Sequence, residues 1–170
     1  VQETISYAKG DWIAHSFYGI GQIECIEVKG IRGEPADYYR IKAKDSVFWV
    51  PVEQSDDDTV RPLSTLAEIQ QALDALNEPP KLMPASHQLR KSRLIEAQRS
   101  NSPQDIAMAI RDLRAYKQQN KSALNVTERN ALKQLKRRLS VEWALVAGMG
   151  QEKASSKLDS CLQASDPTEI

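Results

Sequence analysis

Two periodicities divide this chain. Between residues 5 and 63 apolar and polar positions alternate with a period near two. In "GQIECIEVKG", residues 21–30, Ile23, Cys25, Ile26 and Val28 stand against Glu24, Glu27 and Lys29. "DWIAH" (11–15) precedes a turn at Tyr18-Gly19, and "DYYRIKAKDSVFWVPVEQ" (37–54) gives two more runs split at Lys44-Asp45-Ser46. Val, Ile, Tyr, Phe and Trp dominate the runs, with Gly and Asp between them, as strands require. Four or five short strands in so little chain predict a small SH3-like or Tudor-like barrel over residues 1–63.

After Arg61-Pro62 the period lengthens. Thr65 and Glu68 have capping-box spacing, and Leu66, Ile69, Leu73 and Leu76 recur at helical intervals. "NEPPKLMP" (77–84) interrupts with three prolines, so residues 64–84 read as a helix and a Pro-rich linker. A further helix is expected over 86–99. Ser102-Pro103 opens another, with Ile106, Ala109, Ile110, Leu113 and Tyr116 as its stripe. Asn125 and Glu128 cap a third, lined by Leu132, Leu135, Leu139, Trp143 and Val146. A short last helix over about 151–163 buries Leu158 and Leu162. The expected class is α+β: a β-barrel, then an all-α domain over 85–165 and a tail, 166–170.

Charge sharpens this division. The net charge is zero, yet residues 1–80 carry seven Lys/Arg against fourteen Asp/Glu, a net of −7. Residues 81–150 carry fourteen against five, a net of +9, and 151–170 carry two against four, a net of −2. A basic half beside an acidic one suggests a nucleic-acid surface on the helices. Two solvated faces of opposite sign that attract each other fit the same numbers.

Chemical motifs are few. Gly19-Ile20-Gly21 lacks the third glycine of a dinucleotide fingerprint and runs into a strand, not a helix. A tight turn followed by a crowded position explains it better. Asp56-Asp57-Asp58 lacks the spaced ligands of a calcium loop and reads as a hairpin tip. The two cysteines, Cys25 and Cys161, and two histidines, His15 and His87, supply no metal-ligand spacing. No nucleophile stands in a catalytic context. The expectation is a non-enzyme with no catalytic residues, metal, cofactor or small-molecule substrate. No stretch is long and apolar enough to span a membrane, and no basic-then-apolar leader opens the sequence, so a cytoplasmic location is expected. Trp12 and Trp143 read as core residues. Phe48 and Trp49 point to opposite faces of one strand, so one of them is expected to be exposed for a partner.

The ordered set Gly10-Asp11, Gly19-Ile20-Gly21-x-Ile23, the Gly33 turn with Tyr39, Val50-Pro51-x-Glu53 and Arg61-Pro62 resembles the CarD/CdnL family of bacterial transcription regulators. "IAMAIRDL" and "NVTERNALKQLKRRLSVEWAL" sit where that family has its helical domain, so the resemblance covers about residues 5–163. It implies an N-terminal Tudor-like module, related to one in transcription-repair coupling factor, that binds the β subunit of RNA polymerase. It also implies a helical domain that contacts promoter DNA at the upstream edge of the bubble and supports the open complex. Carried over by position, Lys29, Arg32, Trp49 and Pro51 fall at the polymerase face, and His87, Arg90 and Lys91 at the DNA face. Three departures stand out. His15-Ser16 replaces the family's frequent Tyr-Pro. Lys29 and Trp49 stand where other members use arginines. His87 takes the position of a tryptophan that wedges into the minor groove, and offers less apolar surface. The alternative reading is a Tudor-like adaptor on polymerase with little or no DNA contact.

Overall fold

A computed structural model describes residues 6–31, 33–54, 59–120 and 124–164. The chain separates into two compact units, Val1–Leu63 and Ser64–Ile170. The expected α+β class is observed, five strands followed by five helices.

In the first unit β1 (Trp12–His15), β2 (Gly19–Lys29), β3 (Ala36–Ala43), β4 (Val47–Pro51) and β5 (Val60–Pro62) form one antiparallel sheet in the order β4-β3-β2-β1-β5. A 3-10 turn, Val52–Gln54, follows β4. Residues opposite each other on paired strands share a face. Ile13, Ile23, Tyr39, Ile41, Phe48, Val50 and Val60 thereby converge into one core, which Tyr7 joins edge-on to the Tyr39 ring. Each such aliphatic or aromatic side chain contributes about 1.5–3 kcal/mol by leaving water.

The alternation in β2 slips once. Ile23 pairs with Ile41 and Cys25 with Arg40, so Glu24 is an extra residue in a bulge. Past the bulge Cys25 and Glu27 lie opposite Arg40 and the buried Tyr38, on the face away from the core, while Ile26 lies opposite Tyr39. Cys25 therefore joins the charged face, contrary to the simple alternation.

The glycine question is settled by contacts. Gly19 turns the chain into β2 with φ of 78°, which disfavours side chains. A Cβ on Gly21 would lie 2.5 Å from Ile41 Cγ2 and 3.1 Å from the Lys42 carbonyl oxygen. His15 fixes the same turn. Its Nδ1 accepts from the backbone N–H groups of Phe17 (3.0 Å) and Tyr18 (3.3 Å), and its ring packs on Phe48. Trp12 departs from its expected core role. It lies opposite Gln22, on the outward face with Lys42, and is 38% exposed.

The second unit contains α1 (Leu66–Ala75), α2 (His87–Ser100), α3 (Pro103–Asn120), α4 (Val126–Val146) and α5 (Gln151–Ala164). Thr65 caps α1 and Asn125 caps α4, each in a reciprocal box with Glu68 or Glu128. One core gathers Ile69, Leu73 and Leu76 from α1, Leu94 from α2, and Ile106, Ile110 and Leu113 from α3. Leu135 and Leu139 of α4 and Leu158 and Leu162 of α5 complete it, with Trp143 packed alongside. The segment read as a linker differs from that description. Met83 is buried in the same core as α1, so the Pro-rich stretch runs within the helical unit. The apolar stripe of α1 needs this burial, because a ten-residue helix is marginal alone. Among the described residues no helix is long and apolar enough to cross a membrane.

Candidate functional site

On the outward face of the sheet, β2, β3 and β4 bring together residues far apart in sequence. Trp49 lies opposite Arg40, which lies opposite Cys25, and Tyr38 stands between Glu27 and Pro51. Phe48 and Val50 fill the core, so Trp49 is the outward member of the Phe48-Trp49 pair. The Lys29 ammonium sits 3.9 Å from the Trp49 ring centroid. Such a cation–π contact at a half-exposed site is worth about 0.5–1 kcal/mol.

Glu27 holds this cluster together, and sequence reasoning did not single it out. Its Oε2 accepts from Trp49 Nε1 at 2.9 Å and lies 3.5 Å from Lys29 Nζ. Its Oε1 lies 3.6 Å from Arg40 Nε, and Arg40 also pairs with Glu24 in the bulge. Period-two spacing places Glu27 and Lys29 on one face, which is the signal that could have found the pair. The result is a surface of paired charges around an indole that is fixed in orientation. It borders β4, which among the described residues pairs with β3 alone and so forms one edge of the sheet. An edge strand offers unpaired backbone groups to an incoming strand. Lys29, Trp49 and Pro51 thus share one surface. Arg32 lies outside the described residues.

The helical candidates separate. His87 is the first residue of α2, and its side chain is 47% exposed. Its Nδ1 lies 2.8 Å from Asn125 Nδ2 and 3.3 Å from Glu128 Oε1. Nδ1 carries either a hydrogen or a lone pair in the ring plane, so according to the tautomer it donates to Glu128 Oε1 or accepts from Asn125 Nδ2. The imidazole is therefore tied to the start of α4.

Arg90 is a correction to the expected DNA face. It is 7% exposed, and its Nε donates to Glu128 Oε1 at 2.7 Å. Its Nη1 donates to the carbonyls of Pro84 (3.0 Å) and Ala85 (2.6 Å), and its guanidinium lies 4.4 Å from the Tyr116 ring centroid. The physical reason is Glu128, a carboxylate that is 1% exposed and must have a counter-charge. Burial pushes its pKa up, but hydrogen bonds from Arg90, the Asn125 backbone and His87, with the Arg90 charge, outweigh burial and hold it below the usual value. Arg90 is thus largely engaged inside the helical unit, by Glu128 and the carbonyls of Pro84 and Ala85. Lys91, one position on, is exposed.

The helical surface stays basic despite this loss. Among residues 81–150, Asp112, Glu128 and Glu142 are buried, against Arg90 and Arg111. Burial therefore removes more negative than positive charge from the surface.

Family models match both units. The CarD-like/TRCF RID domain model matches residues 7–64, which contain the outward sheet cluster. The model for the C-terminal domain of the same family matches residues 71–159, which contain His87, Arg90 and Lys91.

Proposed function

The chain belongs to the CarD family of RNA polymerase-interacting transcription regulators, a non-catalytic family, and from that premise we propose that it binds the polymerase β subunit and touches upstream promoter DNA to prolong the open complex. The observation that carries the polymerase half is the Lys29–Trp49–Glu27 cluster beside the β4 edge. A held indole next to a receptive strand edge supplies an anchor and a backbone template on one surface.

For the DNA half the contacts are Lys91 and the half-exposed His87 at the start of α2, with Arg90 withdrawn from the set. Lysine supplies sequence-independent attraction to phosphate, and the imidazole stacks on or bonds to a base at an opened step. The proposed compartment is the cytoplasm, where transcription takes place.

The withdrawal of Arg90 favours a second reading, an adaptor on polymerase with little DNA contact. The dissociation rate of the open complex on one promoter separates the two. Under the regulator reading His87→Trp, with more apolar surface, lengthens its life, and His87→Ala shortens it slightly. Equal lifetimes for wild type and both variants support the adaptor.

A further inference from the structure

A cavity of about 620 Å³ opens in the helical unit among the C-terminal end of α3, one face of α4 and the beginning of α5. It lies on residues that the proposed function does not use. Five cations line it: Lys117 from α3 and Arg129, Lys133, Lys136 and Arg137 from α4. Among the described residues that line it there is no carboxylate. Arg129, Leu132, Lys133, Lys136, Arg137 and Ser140 recur at three- and four-residue intervals, so one continuous side of α4 forms a wall.

The cations are not equivalent. Lys136 Nζ is held by Asp159 Oδ1 of α5 at 2.5 Å. Arg129 Nη1 donates to the Leu124 carbonyl at 3.1 Å, which orients the guanidinium and leaves it further donors. Lys117 and Lys133 are exposed, as is Arg137, which has a further partner of its own. Leu124, which is 3% exposed, and Leu132, packed against the core, add an apolar floor. Ser155 and Gln151, the first residue of α5, bring a hydroxyl and an amide, and the N-terminal end of a helix dipole.

Like charges in one recess repel, and low-dielectric walls focus their field. The ligand that relieves this carries several negative charges on one small body. Lysine point charges beside arginine forks suit phosphate oxygens. The volume falls within the usual range of small-molecule sites, about 300–1,000 Å³. A duplex presents its phosphates on a convex ridge and would leave the recessed leucines uncovered. We propose that this cavity binds an organic polyphosphate of nucleotide size. Its phosphates meet Lys117 and Lys133, and its apolar or aromatic body lies on Leu124 and Leu132.

The test is calorimetric titration of the full-length protein at low salt, without polymerase or DNA, using ATP, inorganic tripolyphosphate and adenosine as probes. ATP binds best, because it alone fills both parts of the cavity. The double variant Lys117→Glu/Lys133→Glu, which alters two exposed side chains, weakens ATP by at least about tenfold at unchanged Tm. Arg99→Glu, an exposed cation of α2 outside the cavity, leaves it unchanged. Absence of ATP binding, or an equal loss in Arg99→Glu, overturns the proposal. So does tripolyphosphate binding as tightly as ATP, which would remove the leucine floor from the site. A short duplex that binds through Lys117 and Lys133 without being displaced by ATP would reassign the surface to DNA.

Discussion

Lys29 in the sheet and Arg90 in the helices are both cations that the family resemblance implies as contacts, and the two units treat them oppositely. Lys29 stays on the outward face, resting on Trp49 and Glu27. Arg90 is drawn inside by Glu128 and the carbonyls of Pro84 and Ala85. In a strand, backbone alternation sends every second side chain to the same face, so the pattern reports the face directly. In a helical unit a buried carboxylate from another helix can claim a cation, and no local period announces it. Basic charge in a sequence therefore measures a surface in the first case and only bounds it in the second.

The largest expected effect strikes this contrast directly. Arg90→Ala leaves Glu128 buried without its main partner and should cost about 3–5 kcal/mol in denaturant unfolding. Lys29→Ala, at a half-exposed pair, should cost no more than about 1 kcal/mol. Equal costs would erase the distinction.

Acid unfolding sharpens it further. The Glu128 pKa is lowered in the folded state, so its stabilisation is present above its ordinary value of 4.5 and lost as pH falls through the folded value. Glu128→Gln should reduce the acid-dependent loss of stability of the helical unit. The sheet unit should show no such change, and an unaltered acid limb in the variant would sink the assignment.

A smaller effect concerns DNA. Each phosphate neutralised contributes about −0.9 to the log–log salt slope. Lys91→Ala should flatten it by about 0.9 and weaken all sequences alike. An unchanged slope would place the phosphate contacts elsewhere on the basic surface.

Much of the architecture was legible because it rests on local rules. The boxes Thr65–Glu68 and Asn125–Glu128 mark two helix starts, and alternation marks the strands. The bulge at Glu24 was not legible, because an inserted residue is recognised only against its partner strand. That slip carried Cys25 to the charged face. The outward setting of Trp12 is not legible either, because it depends on register with Gln22 and, through it, Lys42. At the candidate sites, the outward setting of Trp49 follows from Phe48 and Val50 filling the core. Glu128 was recognised as a cap, but its second role depends on α2 packing beside α4, with Arg90 thirty-eight residues away. Tertiary contacts of that range leave no period in the sequence.

The central claim is that the outward sheet surface, not the basic helices, is what holds polymerase. Its most direct test is the affinity of the full-length chain for core RNA polymerase, measured for wild type and Trp49→Ala. Removing an oriented aromatic anchor should cost about 2 kcal/mol, roughly thirtyfold in affinity, with little change in Tm. Unchanged affinity in a folded Trp49→Ala protein would contradict the account.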